Sequence, residues 1–181
     1  MEKILENKKI AMVIAFRDFK DEEYFVPREV LARAGAEIKT ASNQRGRAIG
    51  TDGGEVNIDL LVSDINPGDF SALVFVGGPG CLKALDNEQS YKVVRATISQ
   101  DKVLAAICIS PVILAKAGVL KGKRATVWSS PMDKGPIKTL EENEAIYQAN
   151  PVVIDGKLVT ASGPSAAKEF GKEITEVLTK E

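Results

Sequence analysis

The stretch Val103-Leu104-Ala105-Ala106-Ile107-Cys108, followed at once by Ile109-Ser110-Pro111-Val112-Ile113-Leu114-Ala115-Lys116-Ala117, decides the fold class. Its first half is an uninterrupted β-rich apolar run, which reads as a strand buried on both faces. Ser110 to Ala117 reads as a helix with Gly118 near its C-cap. The same alternation recurs outward in both directions. Upstream, Ser71 to Val76 is a second buried strand running into Gly77-Gly78-Pro79-Gly80, and Asn87 to Gln100 is helical. Lys9 to Phe16 reads as the first strand, Asp21 to Ala34 as a helix ended by Gly35, and Ala36 to Ala41 as a further strand. Pro27 must lie near the first turn of that helix or kink it. Ser42 to Asp69, rich in Gly, Asn and Asp, reads as loops with one short strand.

Downstream, Lys123 to Trp128 reads as a strand. Pro151 to Ile154 and Lys157 to Ala161 flank Asp155-Gly156, a strong hairpin signal. The last helix runs from about Ser165 to Lys180, with Phe170, Ile174, Val177 and Leu178 on one face and a solvated Lys/Glu face opposite. Strands alternating with helices predict an α/β fold: a mostly parallel sheet covered on both faces, with a C-terminal β-hairpin. The chain reads as a single domain over 1–181, with 1–8 as a short N-terminal tail. In such folds the functional site lies at the carboxyl ends of the strands. That draws attention to Phe16–Glu23, Val76–Gly80 and Ile107–Pro111.

Composition narrows the chemistry. The 181 residues are 44% hydrophobic and 27% charged, with 24 Lys+Arg against 25 Asp+Glu. There is no basic excess to bind a phosphate backbone, so nucleic acid is not an expected partner. No apolar run is long enough to span a bilayer, and Met1 to Lys9 has no signal-peptide core. A cytoplasmic protein is expected. The chain contains no histidine. Ser-His-Asp and Cys-His catalysis, His-based zinc sites and histidine switches are therefore excluded within it. The two cysteines, Cys81 and Cys108, form no C-x-x-C pair and are expected as free thiols. No cofactor and no metal are expected.

Cys108 closes a buried strand just before a helix, the geometry of a nucleophile elbow, although G-x-S-x-G is absent. A helix N-terminus offers positive potential and N–H donors, both of which favour thiolate. The alternative is a buried cysteine that fills space. The glycines at 77, 78 and 80 permit close backbone approach and offer N–H groups to an oxyanion. The alternative there is a Pro-Gly corner, and no nucleotide-binding pattern is matched. Glu22 and Glu23 open the first helix. Glu22 suits dipole compensation by an exposed carboxylate. An inward carboxyl beside a thiol would be held protonated, free to move a proton. Cys81 reads as structural. Trp128, Tyr91 and Tyr147 read as packing residues.

The chain resembles the ThiJ/PfpI superfamily. The resemblance is carried by Glu23-Tyr24-Phe25-Val26-Pro27, Arg33-Ala34-Gly35, Ala72 through Gly78, Ala105-Ala106-Ile107-Cys108, Ala117 through Lys123, and Asp155-Gly156 through Ser162-Gly163-Pro164. It spans Lys9 to Leu178. It implies a flavodoxin-like three-layer sandwich and a homodimer or higher homo-oligomer, with Arg33 near the dimer interface. It implies that Cys108 is the nucleophile, Glu23 its partner carboxyl, and the backbone amides of Gly78 and Ile109 the oxyanion hole. The chain departs from the family pattern in two places. Ile109 stands where PfpI-type members have His directly after the nucleophile. Ser130 stands before Pro131, where His or Tyr is common. Peptidase or amidase activity is therefore not the expectation. The expected activity is that of a cysteine-dependent glyoxalase or deglycase acting on 2-oxoaldehydes or glycated protein side chains. The alternative is a redox-responsive stress protein that senses oxidants through Cys108.

Overall fold

The structure, a computed structural model, describes residues 3–181. In chain order the elements are β1 (Lys9–Val13), β2 (Arg17–Phe19), α1 (Asp21–Arg33), β3 (Glu37–Ser42), β4 (Arg47–Gly50), β5 (Glu55–Asn57), β6 (Leu60–Leu61), β7 (Ala72–Phe75), α2 (Cys81–Leu85) and α3 (Glu88–Ser99). They continue with β8 (Val103–Ile107), α4 (Pro111–Lys116), β9 (Arg124–Ala125), α5 (Gly135–Glu142), β10 (Ile146–Tyr147), β11 (Val152–Asp155), β12 (Leu158–Ala161) and α6 (Ala167–Thr179).

The central sheet has seven strands in the order β11-β12-β8-β7-β1-β3-β6. Every pairing in it is parallel except β11 with β12, the hairpin turning at Asp155-Gly156. The inner five strands follow the flavodoxin-like order 2-1-3-4-5, which reverses direction between β1 and β7. Strands β7 and β8 are buried along their whole length, as their unbroken apolar runs require. Phe75 pairs with Ala106, so a large residue faces a small one across the ladder.

The strands' alternate residues feed two cores. Ile10, Met12, Val74, Ala105 and Ile107 pack with Tyr24, Leu31, Phe170 and Ile174 of α1 and α6. Ala11, Val13, Leu73, Phe75 and Leu104 pack against α3, α4 and α5 through Val94, Ile113 and Leu140. This is the three-layer sandwich anticipated. Phe170, Ile174, Val177 and Leu178 are all buried, as the helical spacing predicts. Within the 1–8 segment, Leu5 is fully buried and its N–H donates to the Ala34 carbonyl at 2.8 Å.

Of the two placements allowed for Pro27, the structure takes the helix interior, and several other local expectations are corrected. Pro27 lies in the interior of α1, away from the first turn. Its ring lacks the N–H that would reach back to the carbonyl of Glu23. Its buried face meets Gly171 of α6, where an added Cβ would stand 3.0 Å from Pro27 Cα. The segment Ser42 to Asp69 holds three short strands, not one; β4 and β5 join β2 in a separate small sheet. The expected strand at Lys123 to Trp128 shrinks to Arg124–Ala125, paired only with β10. Helices α2 and α5 were not anticipated. The first has five residues, and the second buries only Pro136 and Leu140.

Candidate active site

All three strand ends singled out above converge. The site is built on Cys108, whose φ of 66° is left-handed, a region that costs a non-glycine residue energy and marks functional turns. The turn is pinned from both sides. The Cys108 N–H donates to the Ala161 carbonyl at 2.8 Å, and its carbonyl accepts from the Trp128 N–H at 2.8 Å. Buried Ser110 braces it beneath. Its Oγ accepts the Ile107 N–H at 3.0 Å and lies 3.0 Å from the Phe75 carbonyl and 2.8 Å from that of Ile107, positioned to donate to one of them. A buried serine hydroxyl thus braces the elbow from beneath.

Glu23 enters from the first turn of α1 and is fully buried, whereas Glu22 is exposed. Its Oε2 accepts the Gly77 N–H at 3.0 Å. Among the described residues, Oε1 has no hydrogen-bond partner meeting ordinary geometry. Gly77 is where carboxyl and thiol meet. A Cβ there would stand 2.6 Å from Glu23 Oε2 and 2.7 Å from Cys108 Cβ, so only glycine leaves them room. Gly78 follows with φ of 116°, and a Cβ on it would lie 2.4 Å from the Lys20 nitrogen. The Gly78 and Ile109 amides both act on the Cys108 sulfur. Cys108, Glu23, Gly78 and Ile109 are thus brought together.

The electrostatics correct one expectation. Helix α4 has six residues, too short for a strong dipole, and the thiol is not eased toward thiolate. Burial pushes the Cys108 thiol up, and the adjacent Glu23 carboxylate pushes it further; the Ile109 and Gly78 amides oppose this without prevailing. Burial likewise raises Glu23 to about 7, against the lowering effect of the adjacent Cys108 thiol, the Gly77 N–H and the Lys20 charge. This pair therefore resists holding two negative charges at once.

A cavity of about 390 Å³ opens over the pair, lined by Lys20, Pro79, Leu82, Ile109, Trp128 and Pro164 beside Glu23, Gly78 and Cys108. Trp128 is therefore a wall of the site and not only a packing residue. Cys81 is fully buried in the adjoining core with its thiol pushed up by burial, in keeping with a structural role. Tyr91 and Tyr147 pack against the α3–α5 core. Ser130 bridges to Asp133, outside the cavity lining. Arg33 is exposed and paired with Glu29. No cluster of three or more potential metal-ligating side chains occurs among the described residues. Nor is any described helix long and apolar enough to cross a membrane.

Sequence reasoning singled out Gly77 for close backbone approach, as the structure shows, but missed Lys20 and Ser110 as site builders. Lys20 lies within the strand-end segment Phe16–Glu23. Its partner Asp52 sits on the β4–β5 loop, which no local pattern connects to it.

A half-buried thiol in a left-handed elbow, faced by a carboxyl from the first helix of a flavodoxin-like sandwich, defines a class of cysteine-centred α/β proteins. The sequence matches the DJ-1/PfpI family over residues 8–177, and the chain belongs to that family. It is 39% identical to an uncharacterised protein of Methanocaldococcus jannaschii over 177 residues, covering 97% of this chain and 85% of that one. It is 32% identical to a deglycase of Pyrococcus abyssi, covering 92% and 98%. The crystal structure of a ThiJ/PfpI domain protein from Brachyspira murdochii superposes with a TM-score of 0.91 at 31% identity, covering 97% and 99%.

Proposed function

We propose that the protein is a cofactor-independent glyoxalase or deglycase that acts on 2-oxoaldehydes or their early adducts on protein side chains. The observation that carries this reading is the placing of the Cys108 thiol and the buried Glu23 carboxyl together at Gly77, beneath a largely apolar cavity. Glu23 takes the thiol proton and sulfur attacks the aldehyde carbon. The new S–C bond gives a hemithioacetal whose oxygen is held by the Gly78 and Ile109 amides and then protonated by Glu23. The Glu23 carboxylate next removes the hydrogen on that carbon as a proton and returns it to the adjacent carbonyl carbon. A second proton passes between the two oxygens. The electrons stay within the substrate: the aldehyde carbon is oxidised to a thioester while its neighbour is reduced to an alcohol. Water opens the thioester. One proton restores the pair, and the other leaves with the 2-hydroxy acid. Methylglyoxal plus water thus gives lactate. The relative named a deglycase supports the same chemistry.

Two copies associated as a homodimer in the cytoplasm belong to this reading. So does the absence of peptidase action, since no histidine is present to activate the thiol. The test is lactate formation from methylglyoxal by purified protein beside Cys108→Ala. Turnover abolished by the substitution is expected; equal turnover in both proteins overturns the reading. A second reading is favoured by the partnerless Glu23 Oε1: a carboxyl able to donate to an oxidised Cys108 sulfur would suit an oxidant-responsive protein. It requires peroxide to oxidise Cys108 with no 2-oxoaldehyde turnover.

A further inference from the structure

Among the described residues lining the Cys108 cavity, Lys20 alone carries a cationic side chain. It is set with care. The Lys20 N–H donates to the Gly77 carbonyl at 3.1 Å, tying it to the loop that seats Glu23. Its Nζ lies 2.8 Å from Asp52 Oδ2. Asp52 rides on the β4–β5 loop, whose Asp52 and Gly54 N–H groups both donate to the Asp21 carboxylate, at 2.8 and 2.6 Å. Gly50 and Gly54 leave no room for a Cβ against that carboxylate. Asp21 thus fixes the loop so that a carboxylate rests on the ammonium of this cavity-lining lysine. The Asp52 side chain is 54% exposed, so displacing it into water costs little desolvation. The remaining lining (Pro79, Leu82, Ile109, Trp128, Pro164) is apolar. A neutral aldehyde as small as methylglyoxal needs no cation there.

We propose that Lys20 is an anion subsite that selects 2-oxoaldehydes bearing a carboxylate, with Asp52 occupying it in the free protein until substrate takes its place. This deepens the glyoxalase reading and rests on it for the aldehyde end. The felt charge of Lys20 at Glu23 agrees with an ammonium close to the reacting groups.

The test compares Cys108 alkylation by iodoacetate, an anion, with alkylation by iodoacetamide, its neutral near-isostere. In both, an S–C bond forms and iodide leaves. The ratio of the two rates is the reading, so changes in thiol ionisation common to both reagents cancel. Lys20→Met is expected to lower the iodoacetate-to-iodoacetamide ratio about fivefold, the scale of one partly exposed charge at short range. Lys20→Arg is expected to keep the ratio, and Asp52→Asn, which frees the ammonium, to raise it. An unchanged ratio in Lys20→Met, or no rise in Asp52→Asn, overturns the subsite and leaves an ordinary surface ion pair. In parallel, kcat/KM is measured for 4-carboxyphenylglyoxal against phenylglyoxal. A ratio that responds to Lys20 while neither glyoxal is turned over rejects the glyoxalase reading and keeps the subsite. Turnover of both with no dependence on Lys20 does the reverse.

Discussion

Glu23 is a carboxyl held where ionisation is costly. Its pKa, raised from 4.5 to about 7, means that the native state binds more protons than the unfolded chain between those values. The free energy of unfolding therefore falls as pH rises through that window, and the loss is complete above about 7. Glu23→Gln keeps an acceptor for the Gly77 N–H and removes the charge. It is expected to raise thermal stability at pH 8 by about 1–3 kcal/mol and to change little at pH 4, read by melting at both pH values. No pH-dependent gain would mean that Glu23 is already neutral or well solvated. The two thiols should differ as sharply. Cys81 is fully buried, whereas Cys108 opens into the cavity. Peptide mass spectrometry after limited peroxide or alkylation should find Cys108 modified first, and equal modification of both would count against the elbow geometry. At this scale Cys108 was legible because an apolar strand stopped at it. Glu23 was chosen over Glu22 only through the family resemblance, because two adjacent carboxyls carry no marker of which one turns inward. Lys20 was hidden because its meaning depends on Asp52, which is brought to it by tertiary structure.

The strand–turn–helix elements show why the elbow holds. Ser110 Oγ is positioned to serve the Ile107 N–H together with a carbonyl of Phe75 or Ile107 in a fully buried place. Ser110→Ala leaves buried backbone groups without partners and is expected to cost about 1–3 kcal/mol, read as a lowered denaturant midpoint with an unchanged slope. Stability equal to wild type would show that other groups hold the turn. Long apolar strands and the Asp155-Gly156 hairpin were legible because periodicity and turn chemistry agree there. The strands of two to four residues between Arg47 and Leu61 were not, since so short a run carries no period. Helix α5 begins Gly135-Pro136 and buries two residues, too few to write an apolar stripe. The thiolate expectation failed because the sequence marked the short helix and its end but not how far burial at the strand end would outweigh the helix N–H groups.

Across the whole molecule, the site depends on how α1 is seated, because α1 delivers Glu23 to a sheet that delivers Cys108. The α1–α6 crossing is close at Gly171, where a Cβ would meet Pro27 and Val30 at 3.0 Å. Gly171→Leu is expected to cost about 2 kcal/mol or more through overpacking and to lower turnover by displacing α1, measured by chemical denaturation and activity on one preparation. A fully stable, fully active variant would show that the crossing can yield. The mostly parallel sheet was legible from alternation; the flavodoxin-like arrangement that puts a switch point between β1 and β7 was legible only through the family resemblance. The satellite sheet whose β4–β5 loop brings Asp52 onto Lys20 was not legible.

In the proposed reaction a single buried carboxyl, Glu23, moves the proton between the substrate's two carbons. The most direct test is lactate formation from methylglyoxal by Glu23→Gln, with iodoacetamide labelling of Cys108 followed in the same sample. Lactate formation should fall at least about a hundredfold while Cys108 remains open to labelling. Turnover by Glu23→Gln at the wild-type rate would contradict it.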